Sequence, residues 1–177
     1  GLGKTVQTLA LLAARHLAET SERPSLLVAP TSLLSTWQRE AERFAPDLRV
    51  LILHGADRHR RFEAIETHHL VVTTYPLLHR DHAALATRSW EIVVLDEAQA
   101  VKNPASGGAR HIRTLEARMR LALTGTPMEN NLGELWALFD WLVPSLLGDR
   151  KSFGKRFRTP VEKHGDRAAQ SRLNALI

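Results

Sequence analysis

The sequence contains no cysteine among its 177 residues. A chain without cysteine forms neither a disulfide framework nor a metal site with thiolate ligands, and it suits a reducing compartment. It also lacks a run of about 18 apolar residues, the length that a membrane-spanning helix needs. We therefore expect no contact with a membrane. Internal repeats and low-complexity segments are absent as well.

Charge of one sign is only mildly in excess. Lysine and arginine number 24 against 19 aspartate and glutamate residues, which gives a formal net charge of +5. Such a balance permits a polyanionic partner such as nucleic acid, although a solvated protein surface explains it equally well.

Short apolar runs alternate with segments of helical spacing along the chain. The runs, each predicted to be a buried strand, are 26–29, 50–53, 70–74, 92–95 and 121–124. The segments predicted to be helical are 4–19, 33–44, 57–66, 75–86, 105–115 and 132–142. This alternation predicts an α/β fold with a mostly parallel sheet and helices on both faces. Ligands of such sheets bind at the carboxyl ends of the strands.

The composition changes near the C-terminal end, which divides the chain in two. Residues 148–177 are basic, polar and less regular than the rest, and we interpret them as a short helical appendage. Residues 1–147 form the predicted main domain.

The first five residues, Gly1, Leu2, Gly3, Lys4 and Thr5, match the end of the phosphate-loop pattern G-x-x-x-x-G-K-[ST]. The helix predicted to follow offers free backbone N–H groups and the positive end of its dipole, which favour phosphate. Lys4 would reach the β- and γ-phosphates of a nucleotide, and the Thr5 hydroxyl would bind Mg²⁺. A glycine turn with a surface lysine is the alternative. Because the leading glycine position would precede Gly1, we expect a fragment that begins inside the loop.

A pair of acids strengthens the phosphate-binding interpretation. Asp96 and Glu97 directly follow the predicted buried strand 92–95. An aspartate at this place can bind Mg²⁺, and the adjacent Glu97 can accept a proton from an attacking water. Acids at an ordinary helix N-terminus are the alternative, but the order after Gly3-Lys4-Thr5 favours a nucleotide site.

Several segments together resemble the Swi/Snf-related ATPases of helicase superfamily two, and the bacterial members in particular. The matching segments, given by residue number, are 1–7 for motif I, 29–34 with Trp37 for motif Ia, 73–75 for a further motif, 96–99 with 102–104 for motif II, and 123–131 with 134–136 for motif III. The resemblance covers residues 1–147 and implies the first RecA-like, P-loop NTPase lobe of an ATP hydrolase that moves along double-stranded DNA and remodels protein–DNA complexes.

The resemblance also implies roles for individual residues. Catalysis would depend on Glu97, Asp96 and Lys4, with Mg²⁺ bound by Thr5 and Asp96. ATP would be contacted by Gly1, Leu2, Gly3, Lys4, Thr5, Gln7 and Gln99. Coupling between ATP and DNA would pass through Thr124, Gly125 and Thr126, and the candidates for DNA contact are Pro30, Ser32, Thr74, Lys102 and Asn103.

The expected partners follow from the same resemblance. They are double-stranded DNA and a second RecA-like lobe in the full-length chain, which would supply an arginine finger. Without that lobe, we expect residues 1–177 to have negligible ATPase activity. A bacterial member is expected in the cytoplasm, at the nucleoid.

Two other functions remain open on the residues alone. One is a strand-separating DNA or RNA helicase, although RNA helicases typically carry Asp-Glu-Ala-Asp and Ser-Ala-Thr where this chain has Asp96-Glu97-Ala98-Gln99 and Thr124-Gly125-Thr126. The other is a non-catalytic module that binds nucleic acid.

Further residues have two interpretations each. His79 and His82 lie at helical spacing, which suits a metal site or a solvated helix face. The tryptophans Trp37, Trp136 and Trp141 would stack on bases or pack in the core. Two basic groups would touch DNA or lie on a solvated surface, namely 58–61 and the set Lys151, Lys155, Arg156 and Arg158.

Overall fold

A parallel sheet forms the centre of the molecule. The computed structural model describes residues 3–17, 21–101, 107–125 and 131–177. In these residues five strands pair in the order β2-β3-β1-β4-β5, and every pairing is parallel. The strands are β1 (Ser25–Ala29), β2 (Val50–Ile52), β3 (Leu70–Thr74), β4 (Ser89–Leu95) and β5 (Glu116–Ala122).

Helices connect the strands and continue beyond them. The α-helices are α1 (Lys4–Leu17), α2 (Leu34–Phe44), α3 (Tyr75–Arg80), α4 (His82–Ala86), α5 (Gly107–Arg113), α6 (Leu132–Leu142), α7 (Arg150–Phe153), α8 (Thr159–His164) and α9 (Arg167–Asn174). Turns of 3₁₀-helix cover Thr31–Leu33, Ala56–Thr67 and Ala98–Val101, and Gly154–Arg158 is π-helical. The predicted α/β fold with a parallel sheet is therefore confirmed.

The last strand differs from its prediction. β5 begins at Glu116 and ends at Ala122, whereas the apolar run predicted a strand over 121–124. Within the described part of the chain, β5 pairs only with β4 and lies at the edge of the sheet. An edge strand need not be apolar throughout, and Glu116, Arg118 and Arg120 alternate here with smaller or apolar residues. A search for buried runs therefore found only its end.

The segment predicted as one helix over 75–86 is two helices. They meet at Asp81, which is buried and receives two hydrogen bonds from Arg58, of 2.6 and 2.8 Å. A buried ion pair is stable only when both groups form good hydrogen bonds. These contacts therefore hold Asp81 at the junction of the two helices. The polar helix predicted over 57–66 is the 3₁₀-helical segment Ala56–Thr67.

Alternate residues of each central strand enter two different cores. One core contains Leu26, Val28, Val93 and Leu95, and the other contains Leu27, Ala29, Ile92 and Val94. Successive side chains of a strand point to opposite faces, so the sheet is buried on both sides. This double burial explains why the central strands read as continuous apolar runs.

A third cluster joins α6 to the C-terminal helices. Trp136 of α6 packs with Phe153, Phe157 and Leu173. The appendage is helical, as expected, and the boundary at residue 147 stays a prediction because Leu147 lies inside this same cluster. In the described residues, no helix is both long enough and apolar enough to cross a membrane.

Candidate nucleotide site at the carboxyl edge of the sheet

The first part of the site is the start of α1. Lys4 opens this helix directly after Gly3, whose φ of +73° lies in the left-handed region that glycine adopts without steric cost. Gln7 donates its backbone N–H to the carbonyl of Gly3 over 3.0 Å, which closes the first turn. The free N–H groups of a helix start therefore lie beside Lys4 and Thr5, as the phosphate-loop interpretation requires.

The second part of the site follows β4. Asp96 is buried and donates its backbone N–H to the carbonyl of Val28 on β1 over 2.9 Å, so the ladder extends past the strand end. The next residue, Glu97, has a φ of +50°. A residue other than glycine is strained when its backbone lies in the left-handed region, and such strain persists where the surrounding structure enforces it.

Three segments far apart in sequence meet at Glu97. The Lys4 Nζ lies 3.9 Å from the Glu97 Oε1, and Gln99 donates from Nε2 to the Glu97 Oε2 over 2.6 Å. Thr124 donates its hydroxyl to Oε1 of Gln99 over 3.0 Å. The predicted residues Lys4, Glu97, Gln99 and Thr124 are thus connected in one network.

Gly125 allows this close approach. A Cβ atom at this position would lie 3.3 Å from the Lys4 Nζ and 3.6 Å from the Glu97 Oε1. The first of these contacts is tight, so a side chain at Gly125 would push the Lys4 Nζ by a few tenths of an ångström, while the second is an ordinary van der Waals contact.

Asp96 has partners that the sequence analysis missed. Trp37 of α2 donates its indole N–H to Oδ2 over 2.8 Å, and the backbone N–H of Glu97 donates to Oδ1 over 2.9 Å. Tyr75 donates its hydroxyl to the Asp96 carbonyl over 2.7 Å. Burial, with the nearby charges of Asp96 and Glu97, raises the pKa of the Tyr75 hydroxyl, which therefore stays a donor. The available signal was that a buried tryptophan or tyrosine usually finds a hydrogen-bond partner.

The donor set suits Mg²⁺, a hard cation that prefers oxygen ligands. Asp96 offers a carboxylate, and Thr5, at the start of α1, offers a hydroxyl. Each carboxylate oxygen of Asp96 accepts a hydrogen bond from the described residues and has a second lone pair. In the described residues, no lysine, arginine or histidine forms an ion pair with Asp96, so its charge is available to a cation.

The candidates for DNA contact have different positions. Pro30 directly follows β1 and is half-buried, and Ser32 is exposed on the 3₁₀ turn Thr31–Leu33. The prediction that Thr74 contacts DNA is wrong. Thr74 is 1% exposed, and its side chain accepts a hydrogen bond from the N–H of Leu77 at the start of α3. A hydroxyl that caps a helix inside the fold is not presented to a DNA phosphate.

Other predicted residues either lie outside the described part or at the edge of the site. Gly1, Leu2, Lys102, Asn103 and Thr126 lie outside the described residues. Gln7 is exposed, and its side-chain amide lies 3.8 Å from the position that a Cβ on Gly3 would take.

His79 and His82 both lie against His111, a contact that their spacing in the sequence did not reveal. His79 and His111 approach with their Nδ1 atoms 2.9 Å apart, and the His82 ring centroid lies 4.2 Å from that of His111. Burial and the two neighbouring histidines lower the pKa of His111. Across residues 3–17, 21–101, 107–125 and 131–177, no group of three or more histidine, aspartate or glutamate side chains is arranged to hold a metal ion.

The tryptophans and the first basic run have structural contacts. Trp37, Trp136 and Trp141 are all buried, so none is available to stack on a base. Arg58 is buried in its ion pair with Asp81, while Arg60 remains exposed. In the second basic group, Lys151, Lys155, Arg156 and Arg158 are exposed, although Arg158 pairs with Glu162 at 2.9 Å.

Comparison with known proteins agrees with this geometry. The family described as the SNF2-related domain matches residues 1–177. The candidate ATP-dependent helicase/translocase YwqA of Bacillus subtilis is 41% identical over 183 residues, which cover 100% of this chain and 20% of YwqA. The ISWI chromatin-remodeling complex ATPase ISW2 of Saccharomyces cerevisiae is 37% identical, over 100% of this chain and 16% of ISW2.

A solved structure agrees as well. The SWI2/SNF2 ATPase core of Sulfolobus solfataricus in complex with dsDNA matches with a TM-score of 0.90 and 39% identity, over 100% of this chain and 36% of that chain. A second structure, of the SWI2/SNF2 ATPase core domain of Sulfolobus solfataricus, matches with a TM-score of 0.86. The chain thus spans a minor part of each of these relatives. The predicted resemblance and the predicted RecA-like fold are confirmed.

Proposed function

We propose, from the premise that this chain belongs to the SNF2-related domain family, that it is the ATP-binding lobe of a DNA-dependent ATPase that translocates on double-stranded DNA. In this proposal the full-length protein remodels protein–DNA complexes. It uses ATP and Mg²⁺, and a second RecA-like lobe of the same chain completes the active site.

One observation carries the proposal: the network from Lys4 through Glu97 and Gln99 to Thr124. It connects the predicted phosphate-binding lysine, the predicted general base and the segment proposed to couple ATP to DNA. Each group is a hydrogen-bonding or charged side chain at the carboxyl edge of a parallel sheet, where such folds bind nucleotides.

The contacts suggest how the residues act. Lys4 lies near the Glu97 carboxylate at 3.9 Å, and the phosphates of ATP would replace that carboxylate as its anionic partner. Glu97 would then be available to take a proton from the attacking water, in an orientation held by Gln99. Thr5 and Asp96 would hold Mg²⁺, whose charge offsets that of the phosphates.

Action on duplex DNA is supported by the relatives and by the exposed edge of the lobe. A structure 39% identical to this chain is described in complex with dsDNA. Ser32 is exposed beside the carboxyl end of β1, and hydroxyls of this kind suit contacts with phosphate, which position a protein without reading sequence. A protein that works on duplex DNA would be found at the nucleoid of a bacterial cytoplasm.

Triplex displacement tests translocation directly. The full-length protein with ATP is expected to displace a triplex-forming third strand and to leave a plain duplex with a labelled strand paired. Glu97→Gln is the matched control and should displace neither. Efficient ATP-dependent unwinding of the plain duplex would instead assign the protein to the strand-separating helicases, and binding without any ATP-dependent displacement would favour a non-catalytic module.

A further inference from the structure

Asp96 is held by aromatic side chains from two elements on one side of β4. Trp37 belongs to α2, which follows β1, and Tyr75 begins α3, which follows β3. In the sheet order β2-β3-β1-β4-β5, both strands lie on the side of β4 opposite to β5. Asp96 therefore receives contacts from a part of the lobe that the network of Lys4, Glu97 and Thr124 does not include.

We propose that Trp37 is a positioning residue for Asp96. Trp37 fixes the Asp96 carboxylate for Mg²⁺, and it transmits to this carboxylate the movements of the segment that would contact DNA. The inference rests on the proposed function, because it concerns the same nucleotide site. It adds a residue that touches neither the nucleotide nor the DNA.

The hydrogen bond between Trp37 and Asp96 is buried. Trp37 is 2% exposed and Asp96 is 6% exposed, so the hydrogen bond between them is shielded from water. Hydrogen bonds to an ionised acceptor are roughly twice as strong as those between neutral groups. Because the indole is buried in the same core cluster as Leu9, Leu12 and Leu34, its N–H has a fixed direction, and so does the carboxylate oxygen that accepts from it.

An indole has one N–H donor, no acceptor and no charge. It orients the carboxylate without neutralising it, whereas an arginine or lysine in its place would compete with a metal ion for Asp96. Groups that orient a ligand in this way typically change metal affinity or activity by about 10–100-fold when they are removed.

Trp37 is connected to the surface of the lobe through its own helix. The 3₁₀ turn Thr31–Leu33 continues directly into α2, and Trp37 lies five residues after the exposed Ser32. A continuous helical segment moves as a rigid element, so a displacement at Ser32 reaches the indole within about one and a half turns. Tyr75 provides a second fixed point, because it holds the carbonyl of Asp96 over 2.7 Å.

The experiment compares two buried tryptophans in the full-length protein. Trp37→Phe keeps the aromatic packing and removes the N–H. Trp90→Phe is the matched control, since Trp90 is 0% exposed and donates its indole to the carbonyl of Leu85, away from the site. The measurement is the Mg²⁺ concentration that gives half-maximal strengthening of ADP binding, determined by calorimetry without turnover.

We expect Trp37→Phe to raise this Mg²⁺ concentration about 10-fold or more, with ADP affinity in EDTA unchanged, and Trp90→Phe to leave both values as in the wild type. Duplex DNA should shift the Mg²⁺ concentration in the wild type and in Trp90→Phe, and the shift should be lost in Trp37→Phe. Equal Mg²⁺ dependence in the two variants would overturn the positioning role, and an unchanged DNA shift in Trp37→Phe would overturn the transmission.

Tyr75→Phe covers the case in which Trp37→Phe does not fold. It removes a hydroxyl from the Asp96 carbonyl and should raise the Mg²⁺ requirement in the same direction; an unchanged requirement would overturn the inference. A wild-type protein that binds no ADP with Mg²⁺ would contradict the proposed function itself, which keeps the two failures distinct.

Discussion

The two ends of β4 each carry a buried acid, and the two acids have opposite surroundings. At the amino edge of the sheet, Glu91 has a side chain 2% exposed and lies near two arginines, Arg15 at 3.7 Å and Arg118 at 3.8 Å. At the carboxyl edge, Asp96 is held by the neutral donors Trp37 and the Glu97 N–H. Glu91 has two arginine charges nearby, although its buried Oε1 accepts no hydrogen bond from the described residues, while Asp96 is oriented by neutral donors alone.

This difference separates stability from function. A buried ion pair can cost the fold more in lost hydration than its attraction returns, but removing one partner leaves the other charge uncompensated and alters folding. An oriented charge with no cation paired to it among the described residues fits the Mg²⁺ site proposed above. A polar cleft of about 430 Å³ also lies at the amino edge, lined by Ser21, Glu22, Arg23, Glu91 and Arg118, yet the residues suited to nucleotide chemistry lie at the other edge.

The largest expected effect distinguishes the two edges by hydrolysis. In the full-length protein, Glu97→Gln should lower the ATP turnover rate by about 10²–10⁴-fold with near-normal ATP binding, because the amide keeps the shape and removes the base. Glu91→Gln should change turnover by less than about twofold, since it lies at the opposite edge. Steady-state ATPase assays with duplex DNA measure both, and unchanged turnover in Glu97→Gln would remove Glu97 from the role of base.

Gly125→Ala tests the crowding at the carboxyl edge. The added Cβ would lie 3.3 Å from the Lys4 Nζ, the flexible end of a side chain, so the lobe should fold normally while the lysine moves. Misplacement of a catalytic group by about 1 Å can cost up to about 10²-fold, and we expect a loss of turnover of about 10-fold. Gly108→Ala is the control and should keep full activity, since no atom in the described part of the chain lies within 4 Å of the added Cβ. Equal turnover in both variants would show that the space at Gly125 is not needed.

Much of the fold could be predicted from the sequence, for a physical reason. β1, β3 and β4 are buried on both faces, so each appears as a continuous apolar run. β5 was misplaced because Arg118 and Arg120 keep one side of an edge strand polar. Local pattern cannot reveal that a strand lies at an edge.

The site was predictable where a motif carried it and not where packing did. Lys4, Glu97, Gln99 and Thr124 were named from the sequence and meet in the structure. Trp37 was interpreted only as a core or stacking residue, because its partner Asp96 lies 59 positions away. Thr74 was misread for the opposite reason: its motif suggested DNA, but its hydroxyl caps α3.

Glu91→Gln sharpens the comparison by stability. In the wild type the Ser21 hydroxyl donates to the Glu91 Oε2 over 2.9 Å, and the variant keeps an acceptor there. It removes the negative charge that lies near Arg15 and Arg118. Both arginines are partly exposed and can regain water, so we expect a loss of about 1–2 kcal/mol in the free energy of unfolding, below that of a fully buried pair. Urea denaturation provides the value. A stability equal to that of the wild type would mean that the amino edge does not depend on this charge.

The smallest expected effect is a pH dependence at the amino edge. Burial lowers the pKa of His16. The nearby His69 and Arg49 lower this pKa further, and the charge of Glu91 raises it. Between that lowered pKa and the unfolded value of about 6.5, the unfolded chain binds more protons, so stability falls as the pH drops below about 6.5. Urea denaturation at pH 7.5 and 5.5 should show a smaller fall in His16→Gln than in the wild type. The exposed His54→Gln should behave as the wild type, and an identical fall in all three proteins would exclude His16 as a cause.

The most direct test of the account is stimulation of ATP hydrolysis by nucleic acid. The full-length protein is assayed with duplex DNA, single-stranded DNA and RNA of equal length, each in two unrelated sequences. Because phosphate contacts carry no direct base information, duplex DNA should stimulate turnover most, and equally in both sequences. Stimulation by RNA alone, or no stimulation by duplex DNA, would contradict the assignment of this lobe to a translocase on double-stranded DNA.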